Sequence, residues 1–215
     1  MRIGFIGAGW VTRVMGRHLL NAGHTISVCN SRGPQTLTDF VKELGPGATA
    51  ATKEDVVRQS DIVIVAVRWP QAQDALKGVD WSGRILVDAM NAHAELEADV
   101  SLAGVTSSRA KLAETGRTSS EWVAQWAPGA RVVKSISNMP MAYIEDFSAD
   151  KPRTVLFTSG DDAEAKYQVI DMLNDAGFAA IDLGSLAVGG AMQQVGAPLS
   201  GLDLHFVRRI RPEAR

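Results

Sequence analysis

The first 32 residues, MRIGFIGAGWVTRVMGRHLLNAGHTISVCNSR, constrain this chain more than any other stretch. Arg2-Ile3-Gly4-Phe5-Ile6 is an apolar run of strand length, and Gly7-Ala8-Gly9 follows it with no spacer. Val11, Val14, Met15, Leu19 and Leu20 then recur at three- and four-residue steps, the period of a helix with one apolar face. Ala22-Gly23 closes that helix, since glycine is favoured just past a helix C-terminus. Thr25 to Cys29 is apolar enough to be the next strand. Strand, glycine turn, helix and strand make one βαβ unit of about 30 residues.

Such a unit favours a bound phosphate. Gly7 permits the tight turn, and Gly9 lets the backbone come close to a pyrophosphate. The first turn of the helix then offers free N–H groups and a partial positive charge to an anion. The third position of the dinucleotide fingerprint holds Thr12 instead of Gly or Ala, so a branched side chain must fit where helix and strand lie closest. Trp10 is bulky for this loop. It is either a cover on the turn or a contact to bound cofactor, and the sequence leaves both open.

The residues about 20 positions beyond the glycines decide which dinucleotide is expected, because an NAD site carries Asp or Glu there for the ribose 2′-hydroxyl. Here the place reads Asn30-Ser31-Arg32, with no carboxylate. A hydroxyl and a guanidinium suit a 2′-phosphate, which arginine meets with forked, charge-assisted bonds. The expectation is NADP(H) over NAD. The plainer alternative is that Arg32 is a solvated turn residue before Gly33-Pro34.

The rest of the chain continues the α/β alternation. Gln35 to Leu44 reads as a second helix, Ala48 to Ala51 as a third strand, and Thr52 as the N-cap of a helix running to Gln59. Ile62 to Val67 is continuously apolar and β-branched, as in a central parallel strand covered on both faces. Arg68-Trp69-Pro70 stands at its carboxyl end, where ligands bind in open α/β sheets. A helix from Gln71 to Leu76 leads to a fifth strand, Ile85 to Ala89, ending in Met90-Asn91-Ala92-His93. Residues 94–119 carry one weak helical stretch, 107–114, and read as either a lid or a disordered connection. A helix from Glu121 to Trp126, capped by Ser119 or Ser120, precedes a sixth strand, Arg131 to Ile136, with Ser137-Asn138-Met139-Pro140 at its end.

Thr154 to Thr158, a helix from Ala163 to Asp175 and Phe178 to Leu183 then extend the sheet. From Ser185 onward a helix starts and is expected to break at Gly189-Gly190, Gly196 and Pro198. The fold class is therefore α/β: a Rossmann-type, doubly wound, mainly parallel sheet of about eight strands with a short irregular C-terminal extension. The expected division is an NADP-binding domain over 1–140 and a small α/β extension over 141–215 that completes the sheet and the second site.

Composition narrows the function classes. The 215 residues are 46% hydrophobic, enough for a substantial core, and the net charge of −2 argues against nucleic acid as a partner. A single cysteine, Cys29, excludes an internal disulfide and a cysteine-rich metal site. His18, His24, His93 and His205 show no ligand spacing, so no metal is expected. No run has the length of a membrane span, and the N-terminus reads as a strand instead of a signal peptide. The expectation is a cytoplasmic protein with a small-molecule electron acceptor as partner. The apolar stretch Leu202, Leu204, Phe206 and Val207 lies along the body or forms a homodimer interface, and Arg208, Arg209 and Arg211 read as a solvated tail.

Several segments, taken in order, resemble one family. GAGWVTRVMGRHLLNAGH, NSRGP, DIVIVAV, PGARVVKSISNMP, SGDDAEAKYQVIDMLNDAGF and DLGSL are similar to the coenzyme F420-dependent NADP oxidoreductases, from residue 1 to about residue 186. The later GAPLSGLDLHF is similar to the tail of small bacterial relatives, and the same broad family includes the cytoplasmic domain of eukaryotic metalloreductases. The resemblance implies a Rossmann-type sheet holding NADP(H). It places the pyrophosphate loop on Gly7, Ala8, Gly9, Trp10 and Val11, and the 2′-phosphate on Ser31 and Arg32. It places the nicotinamide half against Val67, Arg68 and Trp69, against Asn91, and against Asn138, Met139 and Pro140. Members that reduce a deazaflavin can carry histidine where this chain has Asn138.

The resemblance further implies hydride transfer between NADPH and a deazaflavin (F420) or flavin-like ring. Transfer between two stacked rings needs proximity and dryness more than acid–base groups, and the cofactors carry the chemistry. Consistent with this, the sequence offers no Ser-His-Asp set and no Tyr-Lys pair. His93 alone among the histidines falls near a strand's carboxyl end, as a proton donor or as a solvated loop residue, and Asp88 reads as structural. No catalytic residue is named. Two other readings stand beside the first: an NADPH-dependent reductase of a small carbonyl or imine, and a non-catalytic NADP-binding sensor.

Overall fold

The computed structural model describes residues 1–92, 116–145 and 152–207. The first βαβ unit comprises β1 (Arg2–Ile6), α1 (Trp10–Asn21) and β2 (Thr25–Cys29). A 3-10 turn (Pro34–Leu37) runs into α2 (Thr38–Leu44), followed by β3 (Ala48–Ala50), α3 (Lys53–Gln59) and β4 (Ile62–Val65). A second 3-10 turn (Trp69–Gln71) opens α4 (Ala72–Leu76), and β5 (Ile85–Asp88) follows. Then come α5 (Ser119–Trp126), β6 (Arg131–Lys134), β7 (Arg153–Gly160), α6 (Ala163–Asp175), β8 (Ala179–Asp182), α7 (Gly189–Gln193) and β9 (His205–Phe206).

The strands form one sheet in the order β3-β2-β1-β4-β5-β6-β7-β8, with β9 also pairing β7. From β3 to β6 every pairing is parallel. β7 turns antiparallel to β6, over Val133 opposite Gly160 and Lys134 opposite Ser159, and β8 is again parallel to β7. The ladder at this reversal is short, and Arg131 reinforces it. Its Nε and Nη2 donate to the two carboxylate oxygens of Asp162 at 2.8 and 2.7 Å. That carboxylate, held down to a pKa of about 2 by the Arg131 bond first and by the Ala165 amide second, also caps α6.

The continuous apolar strands are explained by helices on both faces. Ile3, Phe5, Ile62, Ile64, Ile85 and Val87 face a core shared with Val14, Met15 and Leu19 of α1 and Val169, Met172 and Leu173 of α6. The alternate residues Ile6, Val63, Val65 and Leu86 face a second core with Val56 and Val57 of α3, Leu76 of α4 and Val123 of α5. Side chains on a strand alternate in direction, so a doubly covered strand must be apolar at every position. Gly4 is the close approach on the second face: a Cβ there would meet Ser60 Oγ at 2.5 Å and Val56 Cγ1 at 2.6 Å.

Five details differ from the sequence expectations. Residues 34–37 wind as a 3-10 turn, because Pro34 lacks an N–H and opens the segment, so α2 begins at Thr38 and not Gln35. The cap of α5 is Thr118, which forms a reciprocal capping box with Glu121, so Ser119 and Ser120 lie inside the helix. β6 ends at Lys134, because Ile136 takes a φ of 60° that no strand continues. Gly189 and Gly190 begin α7 instead of breaking a helix, since a Cβ on Gly189 would collide with Ser159 and Leu183. The short β9 makes a ninth strand. The weak helix expected over 107–114, the lid or disorder expected over most of 94–119, His93, and the basic residues 208, 209 and 211 lie outside the described residues.

Candidate functional site

The strand order reverses direction between β1 and β4: the chain steps to β2 and β3 on one side, then returns to β4, β5 and β6 on the other. Ligands of open α/β sheets bind outside the carboxyl ends of the strands at this switch point. A cleft of about 1060 Å³ opens there. Gly7, Ala8 and Gly9 form its floor, Asn30 to Pro34 one wall, Ala51 to Glu54 the end, and Ala66, Val67, Arg68, Pro70, Gln71, Asp74 and Ala75 the other wall.

The glycine turn is built for a ligand on its open side. Gly7 has φ +112°, and a Cβ on it would lie 2.4 Å from the Ala66 carbonyl oxygen, so a side chain is excluded by backbone. A Cβ on Gly9 would meet no protein atom within 4 Å. What glycine preserves at Gly9 is space toward the cleft. Gly9 is the N-cap of α1 and gives no side-chain cap, and the Arg13 N–H is the donor that returns to Gly9 O. The N–H groups of the first turn of α1 therefore have no intrahelical acceptor, the arrangement that binds phosphate. Thr12 is wholly buried, and its hydroxyl donates to Gly7 O at 2.7 Å. The branched residue at the fingerprint's third position thus closes the turn from within.

Arg32 stands on the wall of the cleft in a loop fixed by its neighbours. The Arg32 N–H donates to Asn30 Oδ1 at 2.9 Å, Gln35 Nε2 donates to Arg32 O at 3.0 Å, and Asn30 Nδ2 donates to Thr36 Oγ1 at 2.9 Å. Gly33, at φ +93°, completes the turn. Among the described residues neither the Arg32 nor the Arg68 guanidinium has an ion-pair partner, and both line the cleft. Two uncommitted cations near an uncapped helix start fit a phosphorylated ligand.

The structure distributes the expected site residues unevenly. Gly7, Ala8, Gly9, Ser31, Arg32, Val67 and Arg68 share the cleft. Trp10 does not line it; its indole N–H points to Glu145 Oε1 at 3.1 Å, with the side chain half exposed. Val11 is partly buried against the core. Asn91, Asn138 and Met139 lie beyond the cleft at the ends of β5 and β6, where Asn91 Nδ2 donates to Ser137 O at 2.9 Å. There Asn91 Oδ1, Ser137 Oγ and both ends of the Asn138 amide are buried without a hydrogen-bond partner among the described residues. Buried polar atoms are nearly always satisfied, so such a cluster fits a polar ligand. The strained φ of Ile136, a buried β-branched residue two positions before Asn138, marks the same spot.

Sequence reasoning missed Lys53, whose ammonium donates to Lys77 O at 2.5 Å across the end of the cleft. Its signal was its position: the first helical residue after Thr52, at the carboxyl end of β3. It also missed that Cys29 lies in the cleft wall, where burial raises the thiol pKa to about 11. No group of three or more His, Cys, Asp or Glu among the described residues could hold a metal ion. No helix among them is long and apolar enough to cross a membrane.

Comparison with known proteins fits this geometry. Residues 2–92 match the model of the family described as NADP oxidoreductase, coenzyme F420-dependent. A hypothetical protein from Sinorhizobium meliloti, SMa0349, superposes with a TM-score of 0.82 at 32% identity over 96% of each chain. Residues 2–92 belong to the F420-dependent NADP oxidoreductase family. Within this family's fold, a candidate F420-dependent NADP-reductase from Arthrobacter sp. FB24 superposes with a TM-score of 0.64 at 22% identity, covering 95% of this chain and 99% of that one. The metalloreductase STEAP3 of Rattus norvegicus is 26% identical over 187 residues, which is 86% of this chain and 34% of the relative. The chain therefore spans about a third of the length of that curated relative. The matched residues 2–92 include the glycine turn, Ser31, Arg32, Val67 and Arg68, so the family match falls on the cleft itself.

Proposed function

We propose that the protein transfers hydride between NADPH and a planar flavin-like or deazaflavin ring. The observation that carries this reading is the paired arrangement at the switch point. Among the described residues, an uncapped glycine turn and an Arg32 guanidinium with no ion-pair partner share one cleft, and the buried Asn91, Ser137 and Asn138 polar atoms without hydrogen-bond partners lie beyond it at the ends of β5 and β6. The cleft spans the glycine turn and the β2–β3 side and would take the adenylate half, with Ser31 and Arg32 toward a 2′-phosphate and the start of α1 toward the pyrophosphate. The strand ends of β5 and β6 would take the nicotinamide half.

When bound, NADPH supplies the hydride. The chain's own contribution is orientation and exclusion of water. Asn138 and Ser137 are almost wholly buried, so a ring held against them is shielded on that face. Asn91, Ser137, Asn138 and Met139 present amide, hydroxyl and thioether groups, which position a ring without titrating near neutral pH.

The test is oxidation of NADPH by the purified protein, with oxidised coenzyme F420, with FMN and with a small cyclic imine as separate acceptors. Bleaching of the deazaflavin or flavin in step with NADPH loss supports the reading. Turnover with the imine alone replaces it with a carbonyl or imine reductase. Tight NADPH binding without turnover replaces it with a sensor.

A further inference from the structure

Asp88 ends β5 and Lys134 ends β6, directly opposite one another in the parallel ladder, and both are wholly buried. The Lys134 ammonium lies 3.4 Å from Asp88 Oδ2 and donates to the Met90 carbonyl at 3.0 Å. Oδ1 of the same carboxylate accepts the Met90 N–H at 2.9 Å. One charged couple thus holds both polar groups of the Met90 backbone. Oδ2 also accepts the Ser120 hydroxyl at 2.6 Å, from the first turn of α5, and the adjacent Ser119 N–H donates to Gln194 Oε1 at 2.7 Å. The carboxylate therefore joins the point where the chain leaves β5 to the point where α5 begins.

A buried ion pair is seldom more stable than an apolar pair of equal volume, so stability alone does not account for this one. Its neighbours suggest its use. Asn91 follows Met90 directly and donates to Ser137 O, and its own Oδ1, like the Ser137 hydroxyl and the Asn138 amide, is buried with no partner among the described residues. The Met90 N–H lies in the peptide before this residue and its carbonyl in the peptide after it, so holding both fixes the backbone on either side of Met90 and, with it, where Asn91 stands.

We propose that Lys134, Asp88 and Ser120 are positioning residues for the nicotinamide end of the dinucleotide, acting through Met90 on Asn91 and the neighbouring β6 end. The inference rests on the NADPH reading above. Its test needs no acceptor. Dissociation constants of NADPH and of 2′-phospho-ADP-ribose, which lacks the nicotinamide, are measured by calorimetry for the wild type and for Lys134→Met and Ser120→Ala.

The wild type binds NADPH more tightly than 2′-phospho-ADP-ribose. In Lys134→Met that preference falls by about tenfold, and in the milder Ser120→Ala by about threefold, with 2′-phospho-ADP-ribose affinity unchanged in both. A merely structural defect would weaken both ligands alike. Should Lys134→Met fail to fold, Ser120→Ala, which keeps the ion pair, decides alone. An unchanged preference, or equal losses for both ligands, overturns the positioning role while leaving the NADPH reading intact. A wild type that binds neither ligand overturns that reading, and this inference with it.

Discussion

The hydroxyl of Thr12, one turn into α1, donates to the carbonyl oxygen of Gly7 on the strand side of the glycine turn, 2.7 Å away and sealed from solvent. The bond ties helix to strand where dinucleotide-binding folds otherwise rely on a small residue for close packing. Thr12→Val keeps the shape and removes the donor, leaving the Gly7 carbonyl unpaired. The expected loss is roughly 1–3 kcal/mol, the cost of an unsatisfied buried acceptor. It is read as a lower urea midpoint with an unchanged slope. An unchanged midpoint would show that the turn holds without this bond.

Arg32 carries the choice between phosphorylated and unphosphorylated cofactor. Its backbone is fixed by Asn30 and Gln35 while its guanidinium has no partner among the described residues. Arg32→Ala is therefore expected to weaken NADPH by about ten- to a hundredfold, the worth of a charge-assisted bond of roughly 1.5–3 kcal/mol. NADH affinity should stay as it was. Fluorescence titration with each nucleotide measures both. Equal effects on the two would remove Arg32 from 2′-phosphate recognition.

Much of this architecture was legible because local and global signals agree. The glycine turn, the amphipathic α1, the apolar run at β4 and the Thr52-capped α3 each read the same way by propensity, period and place in the alternation. What was hidden was tertiary. Nothing in the sequence shows that Thr12 reaches back to Gly7, that Trp10 turns to Glu145, or that β7 reverses direction against β6. The Lys134–Asp88 couple was equally invisible, because two strand residues 46 apart meet only through the ladder register. In the site, the glycine turn and Ser31-Arg32 were readable from spacing. The bond from Asn91 to the Ser137 carbonyl joins two strand ends 46 residues apart, and neither it nor the positive φ of Ile136 beside it is encoded in periodicity.

Cys29 lies in the cleft wall yet should be chemically quiet. Burial, with only a partial offset from the Lys53 charge, raises its pKa to about 11. At about pH 8 roughly a thousandth of it is then thiolate, against roughly a quarter of an unperturbed thiol. Iodoacetamide should leave the folded protein unmodified for hours and label it fully in urea, with intact-mass spectrometry as the readout. Rapid labelling of the folded chain would mean that the wall opens to solvent far more readily than its packing implies.

His18 links α1 to the segment after β6 and supplies a pH dependence. Its Nε2 bonds the Ile144 carbonyl at 2.6 Å, and its ring packs against Phe178 with centroids 4.7 Å apart. Burial lowers its pKa below the usual 6.5, and the backbone bonds to Ile144 and Ala176 offset this only in part. The folded state therefore binds fewer protons than the unfolded state between the two values. The stabilisation is complete above about pH 6.5 and is lost as pH falls through that window. His18→Gln keeps a donor for Ile144 and does not titrate. Urea unfolding at several pH values between about 7.5 and 5 should give a steeper decline for the wild type than for His18→Gln. Parallel declines would mean that His18 has the same proton affinity folded and unfolded, and that burial at the α1–β8 junction does not control it.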